Sequence, residues 1–176
     1  MIHQLDFNGN DKVDKAIMRL QAYEPPEGYY LCFSGGKDSV VIKALADMAG
    51  VKYDAHYCVT SVDPPELVQF IKGHHSDVVF EYPRYSDGTR ATMWNLIPKK
   101  KMPPTRIVRY CCKALKEENG GKGRLKVTGV RWDESANRKN NQGEVTFTQK
   151  KTSKVIREEL SDEDFIQTHK GGWCFV

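Results

Sequence analysis

At 176 residues, 39% hydrophobic and 28% charged, the chain fits one compact domain with a core large enough to fold alone, and a second full domain is not expected. It contains no run of 18 apolar residues, and residues 1–10 are polar with neither an apolar h-region nor a cleavage-like site, so a cytoplasmic protein without membrane association is expected. The net charge is only +4, yet Lys99, Lys100, Lys101, Arg106, Arg109, Lys113 and Lys116 crowd into eighteen residues, a pattern that suits a polyanionic ligand and a solvated basic face equally.

Along the chain, Val13, Ala16, Ile17 and Leu20 repeat at helical spacing until Glu24-Pro25-Pro26-Glu27-Gly28 breaks the pattern. Tyr29-Tyr30-Leu31-Cys32-Phe33 is almost wholly apolar, as expected of a strand covered on both faces of a parallel sheet. Ser34-Gly35-Gly36 follows at once. Val40, Val41, Ala44, Leu45 and Met48 then predict a second helix, stopped by Gly50. A strand over residues 53–59 comes next. Asp63-Pro64-Pro65-Glu66 reads as an N-cap, prolines and a first-turn carboxylate opening a helix through Leu67, Phe70 and Ile71, closed by Gly73. Further on, the pattern predicts a strand at 78–82, a helix at 109–118, a strand at 125–130, a strand at 145–148 and a short helix opening at Ser161. Strands alternating with helices imply an α/β fold: a mostly parallel twisted sheet with right-handed crossovers and helices on both faces, a three-layer sandwich.

The turn Ser34-Gly35-Gly36-Lys37-Asp38-Ser39 carries the chemistry. A buried strand running through glycines into a helix leaves several backbone N–H groups unpaired and converging on one spot, which attracts phosphate. Glycines admit a close approach, Lys37 adds positive charge, and the hydroxyls of Ser34 and Ser39 add donors. Asp38 would repel phosphate, so its useful role is to hold a Mg²⁺ ion that bridges phosphate oxygens. A Walker A loop is excluded because Leu31 stands where its first Gly belongs and Asp38 follows the lysine, and G-x-G-x-x-G is absent. A turn that merely joins strand to helix would use glycine too, but rarely adds Lys, Asp and two Ser.

Ser34-Gly35-Gly36-Lys37-Asp38-Ser39 after a strand resembles the PP-loop of the adenine nucleotide α-hydrolase-like enzymes. Within them the chain is most similar to the phosphoadenosine phosphosulfate reductase family. Asp63-Pro64-Pro65-Glu66, Arg109-Tyr110-Cys111-Cys112 with Leu115-Lys116, and Gly129-Val130-Arg131-Trp132-Asp133-Glu134-Ser135 with Arg138 support the choice. The resemblance implies that Ser34, Gly35, Gly36, Lys37, Asp38 and Ser39 hold phosphates or a sulfate, and that Arg131 leans into the same cleft. Arg131 follows an apolar strand and would lie at the carboxyl edge of the sheet; a salt bridge to Glu134 or Asp133 is its other reading. Arg109 either holds a phosphate or belongs to a solvated helix. Lys37, Asp38 and Arg131 are the candidate catalytic residues.

Family members commonly continue into a tryptophan-rich segment with further cysteines, one of them catalytic in the reductases. Here Gly171-Gly172-Trp173-Cys174-Phe175-Val176 reads as the start of a strand, so a single PP-loop domain over 1–176 lacking that extension is expected, either as a fragment or as a member that works without it. Five scattered cysteines favour reduced thiols or metal ligands over disulfides. Cys111 and Cys112 point about 100° apart on a helix and, with Cys174, are candidate ligands of a 4Fe-4S cluster or zinc. A cluster wants about four thiolates and these are three at best, so a stable cluster is expected only in a longer version that supplies more cysteines. One buried and one exposed thiol without metal is the alternative. Cys32 and Cys58 lie in strands and read as small buried hydrophobes.

Three functions follow. A sulfur-metabolism enzyme would act on phosphoadenylyl or adenylyl sulfate, needing a cysteine thiolate, for which Cys174 is the candidate, and a sulfur-carrier or redox partner. An ATP pyrophosphatase would adenylate a nucleic-acid or small-molecule acceptor by positioning and charge neutralisation. A non-catalytic module would bind nucleotide or nucleic acid through the basic segments at 99–101 and 150–154.

Overall fold

The structure, a computed structural model, describes residues 9, 11–117, 120, 121, 123–129, 145, 146 and 172–175. Arg131, Arg138 and the helix expected at Ser161 lie outside them. In chain order the elements are α1 (Lys12–Ala22), β1 (Tyr29–Cys32), α2 (Lys37–Ala49), β2 (Tyr53–Cys58), α3 (Pro65–His74), β3 (Val79–Glu81), α4 (Met93–Lys100), α5 (Tyr110–Cys112) continuing into a π-helical turn (Lys113–Glu117), β4 (Leu125–Thr128), β5 (Val145–Thr146) and β6 (Gly172–Phe175). The strands form one sheet in the order β3-β2-β1-β4-β6-β5. Every neighbouring pair is parallel except β5 with β6, so the fold is α/β with a mostly parallel sheet.

Local chemistry explains most boundaries. Asp11 starts α1 with a reciprocal cap: its carboxylate accepts from the N–H of Val13 and Asp14, and Asp14 accepts from the N–H of Asp11. Gly50, left-handed at φ 68°, ends α2. Three expectations are corrected. Asp63 does not cap α3; Pro64 occupies that position, while the Asp63 carboxylate accepts from the N–H and hydroxyl of Thr60 at 2.6 and 2.8 Å and so closes the loop after β2. Gly73 lies inside α3, which ends at His74. The helix expected at 109–118 keeps α geometry only over Tyr110–Cys112 before widening into the π-helical turn. Helix α4 was not expected, because Pro98 sits within it. Thr92 and Asn95 nevertheless form a capping box at its start.

The side-chain alternation of β1 divides the molecule. Tyr29, Leu31 and Phe33 join Leu20, Ile42, Ala46, Ile71 and Val127 in the main core, and the Tyr29 hydroxyl donates to the Leu20 carbonyl at 2.8 Å. Fully buried aliphatic side chains of this kind contribute about 1.5–3 kcal/mol each. A smaller core of Ala91, Leu96 and Leu115 joins α4 to the α5 segment. At the amino edge of the sheet, Arg124 donates to the Asp54 carboxylate at 2.7 Å and to the carbonyls of Gly28 and Tyr29 at 3.0 and 3.1 Å, fastening β4 to β1 and β2.

From β1 the chain moves outward to β2 and β3, then returns to place β4 on the other side of β1. The carboxyl ends of β1 and β4 therefore flank the point where strand order reverses, the usual ligand crevice of an open parallel sheet.

Candidate functional site

The glycine turn leaves β1 at that crevice. Gly36 is the N-cap of the 13-residue helix α2, and no side chain caps it, so the first-turn N–H groups and the positive end of the helix dipole face outward. Ser34, Gly36 and Lys37 are exposed and Asp38 is half-buried. Gly35 has φ +74°, and a Cβ there would sit 2.5 Å from Leu67 Cδ1 and 3.1 Å from Ile71 Cδ1, so the turn is pressed onto α3. The hydroxyls bond within the turn: Ser34 donates to Ser39 at 3.2 Å, and Ser39, which is buried, donates to the Gly36 carbonyl at 2.8 Å. Ser39 thus braces the turn. Gly129, just past β4, touches the same place, where a Cβ would lie 2.8 Å from Ile42 Cδ1 and 3.1 Å from the Asp38 carbonyl oxygen. The structure brings together Ser34 to Ser39 and the exit of β4; Arg131 itself lies outside the described residues.

Beside Ser34 a cavity of about 180 Å³ opens along the other face of the sheet, lined by Tyr30, Cys32, His56, Cys58, Lys126 and Thr128 among others, with Lys116 from the π-helical turn. Here the sequence reading missed a polar constellation. Tyr30 and His56 stack with centroids 4.1 Å apart, the Tyr30 hydroxyl donates to Glu81 at 2.9 Å, and His56 Nδ1 lies 2.9 Å from the same carboxylate. Lys126 is buried with its Nζ 5.8 Å from the Tyr30 ring centre. Among the described residues, the buried Thr128 Oγ1 and His56 Nε2 meet no hydrogen-bonding partner. Cys32 and Cys58 line this cavity instead of packing as plain core residues. Burial pushes the Cys32 thiol up to about 12 and raises that of Cys58, with Glu81 adding to the effect, so both are held as neutral thiols near neutral pH.

Burial also lowers the pKa of His56, against the opposing pull of Glu81 and Asp54. The unfolded chain then binds that proton more tightly than the native one. Its contribution to stability is complete above about pH 6.5 and is lost as pH falls through the depressed native value, with a slope of at most about 1.4 kcal/mol per pH unit for one proton. Urea denaturation at pH 7 and pH 5 should show this loss, and His56→Gln should flatten it; an unchanged slope in the variant would assign the pH dependence to other groups.

Arg109 precedes α5, and its guanidinium donates to Cys112 Sγ at 3.4 Å. Cys111 packs instead against the small core around Leu115. Cys174 lies on β6, in register with Val127. Among the described residues no three His, Cys, Asp or Glu side chains come together as a metal centre requires. A Mg²⁺ ion makes smaller demands, since one carboxylate together with phosphate oxygens and water can suffice, and Asp38 in the first turn of α2 fits that role. Among the described residues no helix is long and apolar enough to cross a membrane. No protein-family model matches the chain, and no curated protein matches it significantly.

Proposed function

We propose that this chain is a PP-loop enzyme, similar to the phosphoadenosine phosphosulfate reductase family, that binds an adenine nucleotide with its phosphates on the glycine turn. The reading rests above all on Gly36, an exposed N-cap without a side-chain cap at the strand-order reversal of a parallel sheet. The cavity beside Ser34 is the proposed place for the base, with the Thr128 hydroxyl, which has no partner among the described residues, available to it. Reaction is proposed at the α-phosphate or its sulfate. Neither Cys32 nor Cys58, both raised by burial, offers the thiolate that sulfonate transfer needs, and Cys174 stays the candidate nucleophile for that reaction.

In the ATP reaction an acceptor attacks the α-phosphorus, the bond to the bridging oxygen breaks, and pyrophosphate leaves with the electron pair. Lys37 and the N–H groups of the turn offset the charge that develops on the leaving oxygens. Mg²⁺ held at Asp38 would supply further neutralisation. Arg131 is proposed to grip the same phosphates from the end of β4.

The test compares pyrophosphate release from ATP and Mg²⁺ with sulfite release from phosphoadenylyl sulfate and thioredoxin. Lys37→Ala should weaken ATP binding by about 1.5–3 kcal/mol, the worth of a charge-assisted hydrogen bond, and should affect AMP less. Calorimetric titration giving equal losses for ATP and AMP would remove Lys37 from the outer phosphates.

A further inference from the structure

Residues 88–116 hold eight of the chain's 27 Lys and Arg and none of its 23 Asp and Glu. The fold gathers them around one small core: Leu96 of α4 and Leu115 pack together with Ala91, and Tyr85, Met93, Tyr110 and Cys111 close around them. Arg90, Lys99, Lys100, Lys101, Arg106, Arg109, Lys113 and Lys116 are all exposed. Lysines at the end of a helix offset its dipole, which accounts for Lys99 and Lys100, but not for the five that lie outside α4 and its cap. Large apolar side chains are interleaved with the charges along the same segment, Trp94 at 71% and Ile107 at 93% exposed.

We propose that this surface binds a single-stranded nucleic acid, its phosphates on the Lys and Arg side chains and a base stacked on Trp94. Position favours this occupant. The Met93 N–H donates to Ser61 Oγ at 2.9 Å, which ties the start of α4 to the loop beyond the carboxyl end of β2. At the other end of the segment, Lys116 lines the cavity together with Ser34. A strand lying on the segment is thereby led along the ligand edge of the sheet to the glycine turn. An anionic membrane is the lesser fit, because α4 has only eight residues and Leu96 and Met93 are spent on the small core, leaving the helix without a broad apolar face for lipid. Binding by the surface stands without the nucleotide reading. A role for the strand as acceptor of an adenylyl group rests on that reading.

Fluorescence anisotropy with labelled oligo-dT and oligo-U, without nucleotide and over a range of salt concentrations, tests the proposal. Reversing Lys99, Lys100 and Lys101 together to Glu should weaken binding about tenfold or more and make the log–log salt slope shallower by about 2, three phosphate contacts on a single strand. Trp94→Ala should weaken it roughly five- to a hundredfold through lost stacking. Arg106→Glu, in an exposed loop, should also weaken binding and serves if circular dichroism shows the triple variant unfolded. Calorimetric titration of the parent with ATP and Mg²⁺, run separately, reads the nucleotide site on its own, so that a parent that binds the oligonucleotides but not ATP supports this surface while removing the nucleotide reading. Parent protein that ignores both oligonucleotides, whether or not it sediments with phosphatidylserine vesicles, would overturn the proposal. So would folded charge-reversed variants that bind them undiminished.

Discussion

Gly36→Val is expected to leave a folded protein that no longer binds ATP. At the N-cap, Gly36 has φ −79° and ψ 161°, an extended conformation that valine adopts readily, and the nearest atom to an added Cβ is Ser34 Oγ at 3.5 Å. Valine is a poorer N-cap than glycine, so a stability cost of about 1 kcal/mol is expected. The two methyl groups would stand where phosphate oxygens must approach the N–H groups of α2. Calorimetry with ATP and Mg²⁺ should register no binding, while thermal unfolding should remain cooperative. A folded variant with parental affinity would show that the turn does not hold the phosphates.

Gly35→Ala is expected to act on stability instead. Its left-handed backbone costs a residue with a Cβ about 1–2 kcal/mol, and the Cβ would also press into Leu67 and Ile71, adding an overpacking cost of about 1–3 kcal/mol. A loss of about 2–5 kcal/mol should appear as a lower urea midpoint with an unchanged slope. Neighbouring glycines are thus assigned opposite duties, one serving the ligand and one the packing. A midpoint within error of the parent would mean that α3 yields to the methyl group.

The glycine turn was legible in the sequence because all its parts are consecutive: a short apolar strand, two glycines and an amphipathic helix ending at Gly50 already fix which N–H groups are left unpaired. The polar face around Tyr30 was not legible, since Tyr30, His56, Glu81 and Lys126 come from four strands and meet only once the order β3-β2-β1-β4 is known. One clue lay in the alternation itself, for His56 and Lys126 are each flanked on both sides by apolar residues. Asp63 was misassigned because the side chain of an Asp before two prolines can serve the preceding loop as readily as the following helix, and here Thr60 supplied the better-placed donors. Helix α4 was hidden by Pro98, although Thr92 and Asn95 signalled its start.

The strand order also sets a timetable. β1, α2 and β2 are consecutive in sequence, so the glycine turn and one wall of its crevice can form early from local contacts. The other wall is β4, which pairs Tyr30 with Lys126 and Leu31 with Val127 across more than half the length of the chain. Closing so long a loop is slow. During synthesis the edge of β1 that takes β4 must wait until the ribosome has passed Gly129, and until then the proposed nucleotide site lacks one wall and a ligand there could do little to hold the nascent chain in its native form.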